Sequence, residues 1–168
     1  MLIEVGYSPT GELGGDCFQC LEAGDRWVLA IFDSMYHGIK SALALLRSEL
    51  ERCVGLAAQP SRCLDCLNNE LLTLGISELY ICGCIVTWFP QTQLLYYSTA
   101  DLHPPVLLRS DQEFEIAETA HGLSLGVAIE ERYEEKLIQI KHKNRFFLFS
   151  DDVTETVPRA DDRPVDCP

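Results

Sequence analysis

Three stretches of the chain are apolar at consecutive rather than alternating positions: Trp27 to Phe32, Tyr80 to Phe89, and Phe146 to Phe149. A strand with one face in water alternates apolar and polar residues. Unbroken runs rich in aromatic and β-branched side chains instead predict strands buried on both faces. Shorter strands are predicted at Cys17 to Glu22, Gln93 to Ser98, Val106 to Arg109, Phe114 to Glu118 and Arg132 to Ile140. Tight connections at Ala23-Gly24-Asp25, Pro90-Gln91-Thr92 and Ser110-Asp111-Gln112 separate several of them, which predicts a mostly antiparallel meander.

Two helical patterns interrupt the strands. Ile39, Ala42, Leu43, Leu46, Leu50 and Cys53 recur at helical spacing, with Lys40, Arg47, Glu51 and Arg52 on other faces. Leu64, Leu67, Leu71 and Leu74 form a second stripe, opened by Pro60-Ser61 and closed by Gly75. Consecutive helices between strands imply an α+β layered sandwich in which the helix pair covers one sheet. The final stretch, Val157 to Pro168, carries three prolines and several aspartates and reads as a tail, leaving residues 1–156 as one domain.

Charge narrows the function. Thirteen Lys and Arg against 26 Asp and Glu give a net charge of −13. Such a surface repels nucleic-acid phosphates and anionic lipids, so neither is an expected partner. No apolar run is long enough to span a bilayer, which argues against membrane insertion, and Met1-Leu2-Ile3-Glu4 does not open a signal peptide. Eight cysteines without an export signal are expected to be reduced thiols in a cytoplasmic protein.

Candidate chemistry sits at strand ends. Phe32 is followed by Asp33, Phe149-Ser150 by Asp151, and Asp16 follows Gly14-Gly15. Carboxylates at the mouths of buried strands face a desolvation cost unless a cation or hydrogen bonds compensate them. Aspartates gathered there without histidine or thiol spacing suit hard ions such as Mg²⁺ or Mn²⁺. Helix capping is the stronger reading of Asp33-Ser34 and of the Asp152 to Glu155 spacing on spacing alone, and a turn before a strand explains Gly14-Gly15 just as well. Spacing alone leaves both readings open.

The ordered motifs add up to a resemblance. Tyr7-Ser8-Pro9, Gly14-Gly15-Asp16 and Asp33-Ser34-Met35-Tyr36-His37-Gly38 come first. Ala100-Asp101-Leu102-His103-Pro104-Pro105, Gly122-Leu123-Ser124-Leu125-Gly126 and Ser150-Asp151-Asp152-Val153-Thr154-Glu155 follow in the same register. Together they resemble the SpoIIE-like branch of the PPM, or type 2C, metal-dependent serine/threonine protein phosphatases. The resemblance implies an αββα sandwich of two mainly antiparallel sheets with a binuclear Mn²⁺ or Mg²⁺ site between them. It implies that Asp33 bridges both ions, that Asp16 and the backbone carbonyl of Ser34 hold one, and that Asp151 holds the other. It also implies hydrolysis of phosphoserine or phosphothreonine on a small regulatory protein of the anti-sigma-factor antagonist type, by attack of metal-activated hydroxide without a phosphoenzyme.

Several positions depart from that pattern. Asp152 stands where the family has glycine and adds a second carboxylate that could join the metal set. Tyr36 also replaces a glycine. The usual alanine-glycine-histidine reads Ala100-Asp101-Leu102, with His103 one place late and expected to be a solvent or packing residue. The chain stops before the family's final helices and last metal-binding aspartate, so one metal position is expected to be weak and one helix layer incomplete. An uncovered sheet face favours a homodimer or docking against other domains. The expected organisation is an output domain of a larger protein carrying an N-terminal sensory or receiver domain. A catalytically degenerate, protein-binding module is the alternative function.

The pairs Cys17-x-x-Cys20 and Cys63-x-x-Cys66 permit a four-thiolate zinc site by count. Residues i and i+3 of a strand point to opposite faces, however, and the second pair lies beside a leucine stripe, so structural thiols are expected. Cys82 and Cys84 fall in a buried run, and His121 and His142 have no partner spacing.

Overall fold

The structure, a computed structural model, describes residues 15–34, 40–53, 55, 58–75, 79–110 and 113–150, with the backbone alone for 40–43. Its elements are β1 (Asp16–Ala23), β2 (Arg26–Ser34), α1 (Lys40–Cys53), α2 (Pro60–Thr73), β3 (Ile81–Phe89), β4 (Leu94–Ala100), β5 (Val106–Leu108), β6 (Phe114–Ile116), β7 (Lys136–Gln139) and β8 (Arg145–Phe147). All strand pairs are antiparallel. They form a five-stranded sheet in the order β1-β2-β3-β4-β7 and a three-stranded sheet in the order β6-β5-β8. The expected α+β layered sandwich of two antiparallel sheets is what the chain forms.

Alternation along β2 builds two cores. Val28, Ala30 and Phe32 face the helices, where they meet Leu46 and Leu50 of α1 and Leu64, Leu67 and Leu71 of α2. Leu29 and Ile31 face the other way, joining Cys84, Val86, Leu95 and Tyr97 against Leu107, Phe146 and Leu148 of the second sheet region. Burying one such leucine or phenylalanine contributes about 1.5–3 kcal/mol. Helices of 14 residues are marginal alone, so it is this stripe that holds the pair in place. Pro60 opens α2, and Gly75 (φ +60°) follows its last turn in the left-handed conformation that ends helices.

Two expectations need correction. The run 146–149 is not buried on both faces: Phe146 packs inward, but Phe147 is 43% exposed. It belongs to the small sheet, whose outer face carries Phe147, Phe114 (71% exposed) and Ile116 (73%) without a covering layer among the described residues. The strand expected over 132–140 is only Lys136–Gln139. Upstream of it, Glu134 N donates to His121 O (3.1 Å) and Glu134 O accepts from the Ser98 hydroxyl (2.5 Å), so that stretch pairs with a loop instead of extending the β4 ladder.

Candidate functional site

The hairpin register brings two of the predicted carboxylates together. Asp16 opens β1 directly opposite Asp33 near the end of β2, and Asp33 in turn lies opposite Cys82 of β3. Gly83 pairs with Ala100, so Asp101, one residue past β4, continues the row beside Cys82. Cross-strand neighbours share a face, and here it is the face of Leu29, Ile31 and Cys84, turned toward the second sheet. Four strands thus present Asp16, Asp33, Cys82 and Asp101 in one line at the mouth between the sheets.

Backbone details shape that mouth. Ser34 donates to Gly15 O from its N–H (3.1 Å) and its hydroxyl (3.2 Å). A Cβ on Gly15 would lie 2.9 Å from the Ser34 carbonyl oxygen and 3.5 Å from Asp33 Oδ1. The missing side chain leaves a notch flanked by a carboxylate and a carbonyl oxygen. The hydroxyl of the buried Ser150 donates to Asp16 Oδ2 (2.9 Å), so the chain reaches the same mouth immediately before Asp151.

A loop closes the other end of the row. Ile81 and Leu125 exchange backbone hydrogen bonds (3.1 and 2.8 Å), laying Gly122 to Gly126 along the start of β3. Ser124 there donates to Asp101 Oδ2 (2.8 Å) and sits 3.8 Å from the Cys82 sulfur. The loop is clamped from α2 by buried Asn68, which donates to Ala128 O (2.9 Å) and accepts from Gly126 N (2.8 Å). Tyr97 and Thr99 of β4 fasten the approach, donating to Glu118 O and Ala120 O, each at 2.5 Å. Asp101 has φ +53°, a left-handed conformation that aspartate tolerates better than most side chains. The departure from the family glycine therefore falls where a glycine-like backbone is in fact used.

The donors suit a hard divalent cation. Like charges placed opposite each other across a strand pair are destabilising by roughly 0.2–1 kcal/mol unless something compensates them. Asp16, Asp33 and the Ser34 carbonyl offer oxygen only, the ligand type of Mg²⁺ and Mn²⁺. Among the described residues, no three His, Cys, Asp or Glu side chains converge closely enough to hold an ion by themselves. Asp151, Asp152 and Tyr36 lie outside the described residues.

His103 is exposed beside Phe149, with ring centroids 6.2 Å apart, and His121 and His142 are exposed as well. Cys17 packs on the helix side of the five-stranded sheet and Cys20 on the opposite side, so the two CxxC pairs do not assemble. Asp101, Ser124 and Ser150 were not expected at the site. Only counting outward from the β3–β4 turn, so that position 82 meets position 101, signals the first of them in the sequence.

A layered domain of this kind, with two antiparallel sheets and a helix pair, is the architecture of PP2C-type phosphatases. The RsbU and RsbW domains of a Mycobacterium tuberculosis protein match with a TM-score of 0.75 at 20% identity, over 86% of this chain and 41% of that one. The PP2C phosphatase domain of SpoIIE from Bacillus subtilis matches with a TM-score of 0.67 at 21% identity, over 86% and 43%. RsbX in complex with magnesium matches with a TM-score of 0.66 at 12% identity, over 82% and 66%. The chain thus spans between about two fifths and two thirds of these structures. The family model for stage II sporulation protein E (SpoIIE) matches residues 23–165, and the chain belongs to that family. No curated protein sequence matches it.

Proposed function

We propose that the chain is a metal-dependent phosphatase domain of bacterial signalling, acting on phosphoserine or phosphothreonine of a regulatory partner protein of the anti-sigma-factor antagonist type. The observation that carries this reading is the register pairing of Asp16 with Asp33 beside the Gly15 notch, on the face between the sheets. In this reading Asp33, Asp16 and the Ser34 carbonyl, together with Asp151 and its neighbour Asp152, would hold the divalent ions. When bound, the ions supply a water of lowered pKa and neutralise charge that grows on the phosphoryl oxygens. The chain's own part is to fix the carboxylates. Ser150 orients Asp16 by donating to one of its oxygens, and the β1–β2 ladder holds Asp33 against it.

The same reading extends to organisation. Residues 1–156 form the phosphatase unit, 157–168 a tail, and an N-terminal sensory or receiver domain belongs to the full-length protein. The exposed face of Phe114, Ile116 and Phe147 is the surface on which a second copy or another domain would rest.

Hydrolysis of an aryl phosphate in Mn²⁺ tests the proposal. The wild type should turn over only with metal, and Asp33→Asn should lose roughly 100-fold or more in kcat/KM together with Mn²⁺ binding by calorimetry. Equal, metal-independent rates in both proteins overturn it. They would support the second reading, a degenerate binding module, for which the observation is Asp152 in place of the family glycine.

A further inference from the structure

Thiols gather where the end of α1 meets α2, on the side of the five-stranded sheet away from the aspartate row. Cys53, the last residue of α1, places its sulfur 3.1 Å from that of Cys66 on α2. Cys63, about one turn before Cys66, donates to the Cys53 carbonyl oxygen at 3.5 Å. All three are free thiols. A disulfide holds its sulfurs at about 2.05 Å, so bonding Cys53 to Cys66 asks for roughly 1 Å of sulfur travel. The reading of the mouth as a phosphatase site makes no use of this cluster.

We propose that Cys53 and Cys66 form an oxidation site, converted by hydrogen peroxide into a disulfide that fastens the end of α1 to α2 and opened again by a dithiol reductant. Cys66 is partly exposed whereas Cys53 is only 6% exposed, so the oxidant meets Cys66 first. The Cys66 thiolate attacks one peroxide oxygen and breaks the O–O bond. The released hydroxide picks up the proton that Cys66 shed on ionising and leaves as water, with Cys66 as a sulfenic acid. The Cys53 sulfur then attacks the Cys66 sulfur, the S–O bond breaks, and the departing hydroxide leaves with the Cys53 proton as a second water. In sum, two thiols and one peroxide give one disulfide and two waters. The sulfurs are oxidised and the peroxide oxygens reduced. Cys63 is the natural competitor, but it is fully buried and its thiol is engaged with the Cys53 carbonyl.

Peroxide treatment of the reduced full chain, followed by alkylation and peptide mass mapping, tests the site. The expected result is a loss of about 2 Da with Cys53 linked to Cys66, reversed by dithiothreitol. A cross-link closing so short a loop should also raise the thermal midpoint, on the order of 10 °C. Cys63→Ser should keep the 2 Da loss, and Cys66→Ser should abolish it. A bridge to Cys63 or between chains, an unchanged mass, or bridging that persists in Cys66→Ser overturns the proposal. None of these readouts depends on phosphatase activity.

Discussion

Gly126 has φ +90°, and a Cβ built on it would run into the Leu79 carbonyl oxygen. A backbone oxygen cannot swing away as a side-chain tip can. Gly126→Ala should therefore cost more than about 1 kcal/mol, read as a lower urea midpoint with unchanged slope. The loop it ends carries Ser124 to Asp101, so Ser124→Ala supplies a second test at this scale. It removes one hydrogen bond to a carboxylate, about 1.5–3 kcal/mol by the usual range, while leaving the Asp16–Asp33 pairing intact. Asp16 and Asp33 were legible in the sequence because each sits at the edge of an obvious strand. Asp101 was not. It read as a broken motif, and only its left-handed backbone and its place opposite Cys82 give it a position in the row.

At the level of elements, the strongest sequence signals were the ones whose burial is two-sided. β2 and β3 fall where unbroken apolar runs placed them, because both of their faces meet a core. The two helices also fall on their leucine stripes. The weaker results lie at the small sheet and at β7. There, exposed phenylalanines imitate core residues, and the backbone of Glu134 bonds the His121 carbonyl and the Ser98 hydroxyl instead of extending the ladder. This difference predicts a contrast in stability between two residues of one sheet. Leu107→Ala, from a fully buried position, should cost about 2–5 kcal/mol, whereas Ile116→Ala, at 73% exposure, should cost within about 0.5 kcal/mol in the same denaturation experiment.

For the molecule as a whole, burial of protonated groups sets an alkaline limit. Desolvation pushes Cys63 and Cys84 up to about 12 from an ordinary 9.0, and Tyr97 up to about 12 from 10.0. At Cys63 the neighbouring thiols add to the rise, and at Tyr97 so does Glu118. Between pH 9 and 12 the unfolded chain releases these protons and the folded chain retains them. Stability is fully present below pH 9 and falls above it, by about 1.4 kcal/mol per pH unit for each group that has begun to titrate. Denaturant midpoints measured from pH 8 to 11 should decline accordingly, and Cys84→Ala should flatten the decline. A midpoint independent of pH over that span would contradict the assignment.

Asn68 of α2 grips the loop at two points, one amide and one carbonyl. The outermost layer and the acidic mouth are thereby coupled like a lever and its load. Sliding the second helix along its axis must either drag Ser124 away from Asp101 or snap both of the asparagine's bonds. Anything that grasps that helix from solvent holds a handle on the far side of the molecule.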